Sequence, residues 1–328
     1  MIITRAPLRL SIGGGSTDIP FYYSKFGGHL VSVAIDKYIY IVLEKRDFYN
    51  EFLIRYSKTE VVKNLKDIQH TRVKAALEYL DINEPIEITS IADVPSGTGL
   101  GSSSAYLVAL LKALHAYKRE SVSAKKLAEE ACDIEINVLK EPIGKQDQYL
   151  ASYGGLISLN IEKNGNVIIS PLNVSYSTLE DLEHNTLLFS TGASRSASDF
   201  LTKQAENTTS NEEKMKQMHL IKDVGIEIRK AIESGDTSKF GKWLSVDWET
   251  RKSIVKEMSN DKIDSWYESG LQNGAIGGGL VGAGGGGFLL FYCKDKKEQL
   301  RDAMAKLGLK ELQFKFDTEG AKVLYEGR

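Results

Sequence analysis

The chain has 328 residues, is 42% apolar and carries a formal net charge of −2. That length supports a large core and two domains, and a near-neutral charge without a Lys/Arg run argues against nucleic acid or an anionic membrane as a partner. No apolar run approaches the roughly 20 residues of a membrane span, and Met1 to Leu10 holds Arg5, Pro7 and Arg9 with no apolar h-region, so no signal peptide is expected.

In chain order, Ile2 to Ile12 reads as a strand interrupted by Pro7, followed by a Gly13-Gly14-Gly15 turn. Val31 to Glu44, rich in β-branched and aromatic residues, predicts a long strand, and Ile86 to Ile91 a shorter one. The apolar run from Ala105 to Leu114 predicts a buried helix. Ser123 to Glu141 predicts another, with Leu127, Ala131, Ile134 and Val138 on one face. Strands flank Gly154-Gly155 and a hairpin-like Asn164-Gly165. Thr186 to Ser190 reads as a short buried strand. From Asn211 the pattern changes to long amphipathic helices, with one stripe of Met215, Met218, Ile221, Val224, Ile228 and Ile232. A second stripe is marked by Phe240, Trp243, Leu244, Val255 and Met258. Asp295 is expected to cap a helix carrying Leu300, Ala303, Met304 and Leu307, closed by Gly308. Gln313 to Asp317 and Val323 to Tyr325 read as closing strands. A boundary is expected between residues 170 and 185, giving units 1–180 and 181–328. Cys132 and Cys293, far apart and flanked by apolar residues, read as buried reduced thiols, as in a cytoplasmic protein.

Three signals carry chemistry. Pro95 to Ala105 (PSGTGLGSSSA) sets Gly97, Gly99 and Gly101 before three hydroxyls and a helix start. Free N–H groups and the positive helix end then point at one spot, which is an anion site. The plainer alternative is a Ser-capped core helix after a flexible turn. The second signal is the glycine-dense stretch from Gly277 to Gly287. Gly282, Gly284 and Gly287 match G-x-G-x-x-G, but a strand follows them and no helix, so a dinucleotide fold is rejected. Either a tight turn or close approach to a ligand is left. The third is a pair of carboxylates. Glu135 lies near the apolar face of its helix, where it needs a cation or donor. Asp147 lies in the polar Gly144-Lys145-Gln146-Asp147-Gln148 loop, where it could ligate a metal or act as a base. Arg9 and Asp18, set among apolar and glycine residues, add two more charges whose plain reading is a local ion pair. No P-loop, protein-kinase string or zinc spacing is present.

Together these stretches resemble the GHMP small-molecule kinases. Ala6 to Arg9 through Thr17-Asp18 resembles the first family motif, Pro95 to Ala105 the phosphate loop P-x-x-x-G-L-G-S-S-x-A, and Gly282 to Gly287 the third, G-A-G-G-G-G. The resemblance implies a two-domain α/β (α+β) fold. Its N-terminal half would resemble ribosomal S5 domain 2 and its C-terminal half would be ferredoxin-like. It implies that Gly97, Gly99, Gly101, Ser102, Ser103 and Ser104 cradle the phosphates of ATP. Ser103 and Glu135 would hold Mg²⁺. Asp147 would take the proton of the attacking hydroxyl, with Arg9 beside it to stabilise the transferring phosphoryl. Asp18 and Thr17, with Gly284 and Gly285, would bind the sugar.

Gly144-Lys145-Gln146-Asp147-Gln148 resembles the G-x-x-D-Q of sugar kinases in the family. With Gly154-Gly155 and Thr191 to Ala197 it is similar to the branch that phosphorylates the anomeric hydroxyl of a heptose 7-phosphate. Gly13 to Asp18 departs from the G-E-H-T-D run of galactokinases, which speaks against galactose. Arg195 is the candidate for the substrate's own phosphate, a surface arginine being the plain alternative. The expected partners are a sugar phosphate and ATP, with no nucleic acid and no membrane. The alternatives are a kinase for a free sugar such as L-fucose or galactose, or a catalytically silent sensor of the same fold.

Overall fold

The computed structural model describes residues 1–192, 208, 211–282 and 284–327. The first half contains β1 (Ile2–Gly13), α1 (Pro20–Phe26), β2 (Gly28–Lys45), β3 (Phe52–Arg55), β4 (Thr59–Val62), α2 (Thr71–Tyr79), β5 (Ile86–Ala92), α3 (Ser102–Tyr117), α4 (Ala124–Cys132), α5 (Gln146–Tyr153), β6 (Leu156–Ile161) and β7 (Val167–Pro171). The second contains α6 (Tyr176–Asn185), β8 (Thr186–Ser190), α7 (Glu212–Glu233), α8 (Thr237–Ile254), α9 (Asp261–Gln272), β9 (Gly277–Val281), β10 (Phe288–Tyr292), α10 (Lys297–Lys306), β11 (Lys310–Glu311) and β12 (Lys322–Glu326).

An eight-stranded mixed sheet is centred on β1 and β2, with β12 returning from the C-terminal end to pair with β1. The strand order is β12-β1-β2-β5-β3-β4, and β6 and β7 extend from β2. A second sheet, in the order β11-β8-β10-β9, is antiparallel throughout. Helix α3 is buried nearly all round by Ala105, Leu107, Val108, Leu110, Leu111 and Leu114, as an apolar helix must be. It packs on β1 and β2, where buried Thr4 donates to the Ala109 carbonyl at 2.8 Å. A separate core under the second sheet gathers Phe189, Phe291, Trp248 and Met304. Cys132 and Cys293 are both buried free thiols.

Five sequence readings change. The loop expected around Asp147 and the strand expected before Gly154 are the helix α5, Gln146–Tyr153. Pro7 does not interrupt β1; it lies where the β1–β2 register slips, Pro7 opposing Tyr38 while Leu8 opposes Ile35. A bulge tolerates a residue that has no N–H for the ladder. The helix after Ser123 is α-helical only to Cys132 and widens into a π turn over Asp133–Val138. The wider turn shifts the phase of the helix, so Glu135 faces inward at 0% exposure while Val138 is 51% exposed. Helix α10 has Lys296 at its N-cap without a side-chain bond, so Asp295 does not cap it; Gly308 (φ 83°) does follow its end. Residues 313–317 form only the isolated bridge Phe316–Ile35, and the strand pairing with β8 comes earlier, at Lys310–Glu311.

Candidate active site

The phosphate-loop stretch is built by its glycines. Gly97, Gly99 and Gly101 all have positive φ (74°, 81° and 76°), a region that side chains with a Cβ avoid. Gly101 is the N-cap of α3, and no side chain caps that helix. The serines therefore do not cap it, and the first N–H groups of α3 stay free for an anion. Gly97, Gly99, Gly101, Ser102, Ser103 and Ser104 all line a cavity of about 340 Å³.

Arg9 ties the loop to the carboxylate opposite. Its backbone N–H donates to the Leu100 carbonyl at 3.0 Å, and its Nη1 donates to the Gly99 carbonyl. Its Nε and Nη2 donate to Asp147 Oδ1 and Oδ2 at 2.8 and 3.1 Å, a bidentate pair. A Cβ on Gly101 would stand 3.2 Å from Arg9 Cγ and from Asp147 Cγ, so the loop passes close over this pair. Asp147 lies in the first turn of α5, where a carboxylate suits the helix dipole. Arg9 pairs with Asp147, and not with Asp18 as the plain reading had it.

Asp18 also lines the cavity, and its Oδ2 accepts the Gln146 N–H at 2.9 Å. Burial, aided by the nearby Asp147 charge, pushes its carboxyl up to about 6. Gly144 is needed beside it, because a Cβ there would lie 1.9 Å from Asp18 Oδ2. Thr17 is not a sugar ligand. It is fully buried, its hydroxyl 2.8 Å from the Gly14 carbonyl and accepting the His29 N–H at 3.1 Å, so it closes the Gly13–Asp18 turn.

Glu135 and Ser103 are not brought together. Glu135 Oε1 accepts from Arg72 Nε at 2.8 Å, and Oε2 accepts from Ser104 Oγ at 2.8 Å and Gln148 Nε2 at 2.6 Å. Burial raises its carboxyl above the ordinary range, against the pull of Arg72. Ser103 is exposed, and its neighbour Ser104 is the hydroxyl on Glu135. A carboxylate already held by a guanidinium and two neutral donors, and not lining the cavity, does not fit a Mg²⁺ ligand in this arrangement. Among the described residues no group of three or more His, Cys, Asp or Glu is placed to hold a metal ion.

The third glycine stretch has two duties. Gly282, Gly284 and Gly286 line the cavity, while Gly282 and Gly287 abut the phosphate-loop backbone at Gly99 and Thr98. Gly285 does not line the cavity; its N–H donates to the Met258 carbonyl at 2.9 Å. Arg195 lies outside the described residues.

Residues 62–155 match the GHMP kinases N terminal domain and residues 228–309 the GHMP kinases C terminal family. The chain is 31% identical, over 98% of both lengths, to a D-glycero-alpha-D-manno-heptose 7-phosphate kinase of Campylobacter jejuni. The chain is a GHMP kinase. This kinase is also 24% identical, over 96% of its length and 95% of the relative's, to a galactokinase of Pyrococcus furiosus. Its fold matches the crystal structure of a D-glycero-D-manno-heptose 1-phosphate kinase from Bacteroides thetaiotaomicron with a TM-score of 0.82, at 24% identity over all of both chains. It is an ATP-dependent sugar kinase with the mixed α/β fold of that family. Among the described residues, no helix is long and apolar enough to cross a membrane.

Sequence reasoning missed several groups around the kinase's cavity. Gln146, whose Nε2 donates to Ser11 Oγ at 2.8 Å, was visible only as part of a polar loop. Arg72 lies on α2 in a stretch without a motif. Arg251 lines the cavity from α8, and its only sequence signal is an acid four residues earlier, Asp247.

Proposed function

We propose that this kinase phosphorylates the anomeric hydroxyl of D-glycero-D-manno-heptose 7-phosphate, giving the 1,7-bisphosphate with ATP as donor. The observation that carries the reading is the full-length 31% identity to the Campylobacter jejuni enzyme named for that sugar phosphate. Phosphoryl transfer asks the protein mainly to position groups and to neutralise charge. The free N–H groups at the start of α3 and the Gly97–Gly101 backbone suit the ATP phosphates. ATP would bring Mg²⁺ as its counter-ion, and that ion would neutralise charge on the transferring phosphates.

Asp147 is the base. Each of its oxygens accepts one N–H from Arg9 and keeps a lone pair for the sugar hydroxyl. As the sugar oxygen bonds to the γ-phosphorus, its proton passes to Asp147 and the bond to ADP breaks. Arg9 stays beside the charge that develops on the transferring group. Asp18 accepts a second sugar hydroxyl, and the backbone at Gly284 borders the sugar. The test is coupled ADP release with heptose 7-phosphate, free heptose, galactose and L-fucose. Turnover of a free sugar with a kcat/KM equal to or above that of the phosphate ester overturns the assignment.

A further inference from the structure

Arg251 stands in the wall of the cavity formed by the second half of the chain. Its Nη1 donates to the Gly282 carbonyl at 3.2 Å and its Nη2 to the Leu280 carbonyl at 2.6 Å. Its Nε lies 2.9 Å from Asp247 Oδ2, and Asp247 is itself buried. A guanidinium has five N–H groups. The two carbonyl bonds engage one N–H on each terminal nitrogen and leave one on each free, while Nε makes an ion-pair contact with Asp247 without a hydrogen bond. The side chain is 12% exposed, and its open part faces the cavity. Pinned on three sides, the fork would lose little freedom on gripping an anion.

The charges around it give that fork a purpose. Asp18, Glu141 and Asp147 line the cavity, and the cations lining it among the described residues are Arg9 and Arg251. Arg9 is held by both oxygens of Asp147, at the reacting end of the site. A sugar that arrives already carrying a phosphate brings a second anion into a site rich in carboxylates.

We propose that Arg251 receives the phosphate that the sugar substrate already carries. The inference rests on the heptose 7-phosphate reading. It makes Arg251 a specificity residue, bound to the end of the substrate remote from the reacting hydroxyl. Its effect therefore falls on binding and leaves the transfer step alone.

The test is steady-state kinetics of wild type, Arg251→Gln and Arg251→Lys on heptose 7-phosphate and on free heptose. Arg251→Gln is expected to raise KM for the phosphorylated sugar roughly ten- to hundredfold, the scale of a charge-assisted hydrogen bond. KM for free heptose and for ATP should rise several-fold less, because the lost bonds to Gly282 and Leu280 act on both sugars alike, and Arg251→Lys should recover part of the loss, since it keeps the charge without the fork. Equal losses on both sugars, or a rise confined to the KM for ATP, overturn the proposal and leave Arg251 as a prop for the Leu280–Gly282 backbone. If Arg251→Gln does not fold, Arg251→Lys decides by the same comparison between sugars. A wild type that prefers free heptose refutes the substrate reading, and this proposal with it, before any variant is compared.

Discussion

Gly282 and Gly99 meet backbone to backbone: a methyl group on Gly282 would stand 2.5 Å from the Cα of Gly99. Two glycine motifs from different halves of the chain are thus parts of one wall. Gly282 also has φ of 85°, which disfavours a side chain in its own right. Gly282→Ala is expected to push the phosphate loop out of place, at a cost of about 1–3 kcal/mol of overpacking. KM for ATP should rise and the melting temperature fall together, read by kinetics and calorimetry. An alanine variant with unchanged ATP affinity would show that the contact does not position the loop.

Asp147→Asn keeps the shape of the site and removes the base. The expected loss in kcat is roughly 10²–10⁴-fold, the usual worth of a positioned base. ATP binding, measured by titration calorimetry, should persist. Near-normal kcat would remove Asp147 from the proton transfer.

Asp18 predicts a pH-dependent stability. Its carboxyl is pushed from 3.8 to about 6, so folding favours the neutral form. That contribution is complete below the ordinary value and is lost as pH rises through about 6. Asp18→Asn has no such titration. The melting temperature of wild type relative to Asp18→Asn should therefore fall between about pH 4 and pH 7. A constant difference across that window would count against a buried, titrating Asp18.

Glu135→Gln leaves Arg72 with Glu141 alone, since Arg72 Nη2 donates to Glu141 at 2.6 Å. Breaking a buried charge pair costs about 3 kcal/mol at the lower end of the usual range. The melting temperature should drop. The Mg²⁺ concentration for half-maximal rate should stay unchanged, because Glu135 already has three protein donors. A large rise in that concentration, with stability kept, would make Glu135 a metal ligand after all.

Much of this kinase is legible in its sequence because the relevant physics is local. The strand of Thr186–Ser190 follows from its own residue types, and the stripe on α7 from its own spacing. The positive φ of Gly97, Gly99 and Gly101 is a property of single residues, so the glycine spacing marks the tight turn before α3, and the family resemblance was needed to read it as a phosphate loop. The turn before Asp18 was visible for the same reason, since Gly14 also has positive φ, whereas the loop expected around Asp147 is the first turn of α5.

Tertiary packing decided which polar groups meet. Arg9 and Asp147 are 138 positions apart, and only the seating of α5 against β1 makes them a pair. The π turn after Cys132 turns Val138 out to solvent, which an α-helical count does not anticipate, and only packing against α2 supplies the inward Glu135 with Arg72 as its cation. Thr17 looked like a sugar ligand until the turn buried its hydroxyl, and Arg251 had no motif until α8 carried it to the Gly282 backbone. Periodicity and backbone conformation are written residue by residue along the chain. Hydrogen-bond partners and burial depend on elements far apart in sequence, and they exist only once the two sheets and α3 are packed.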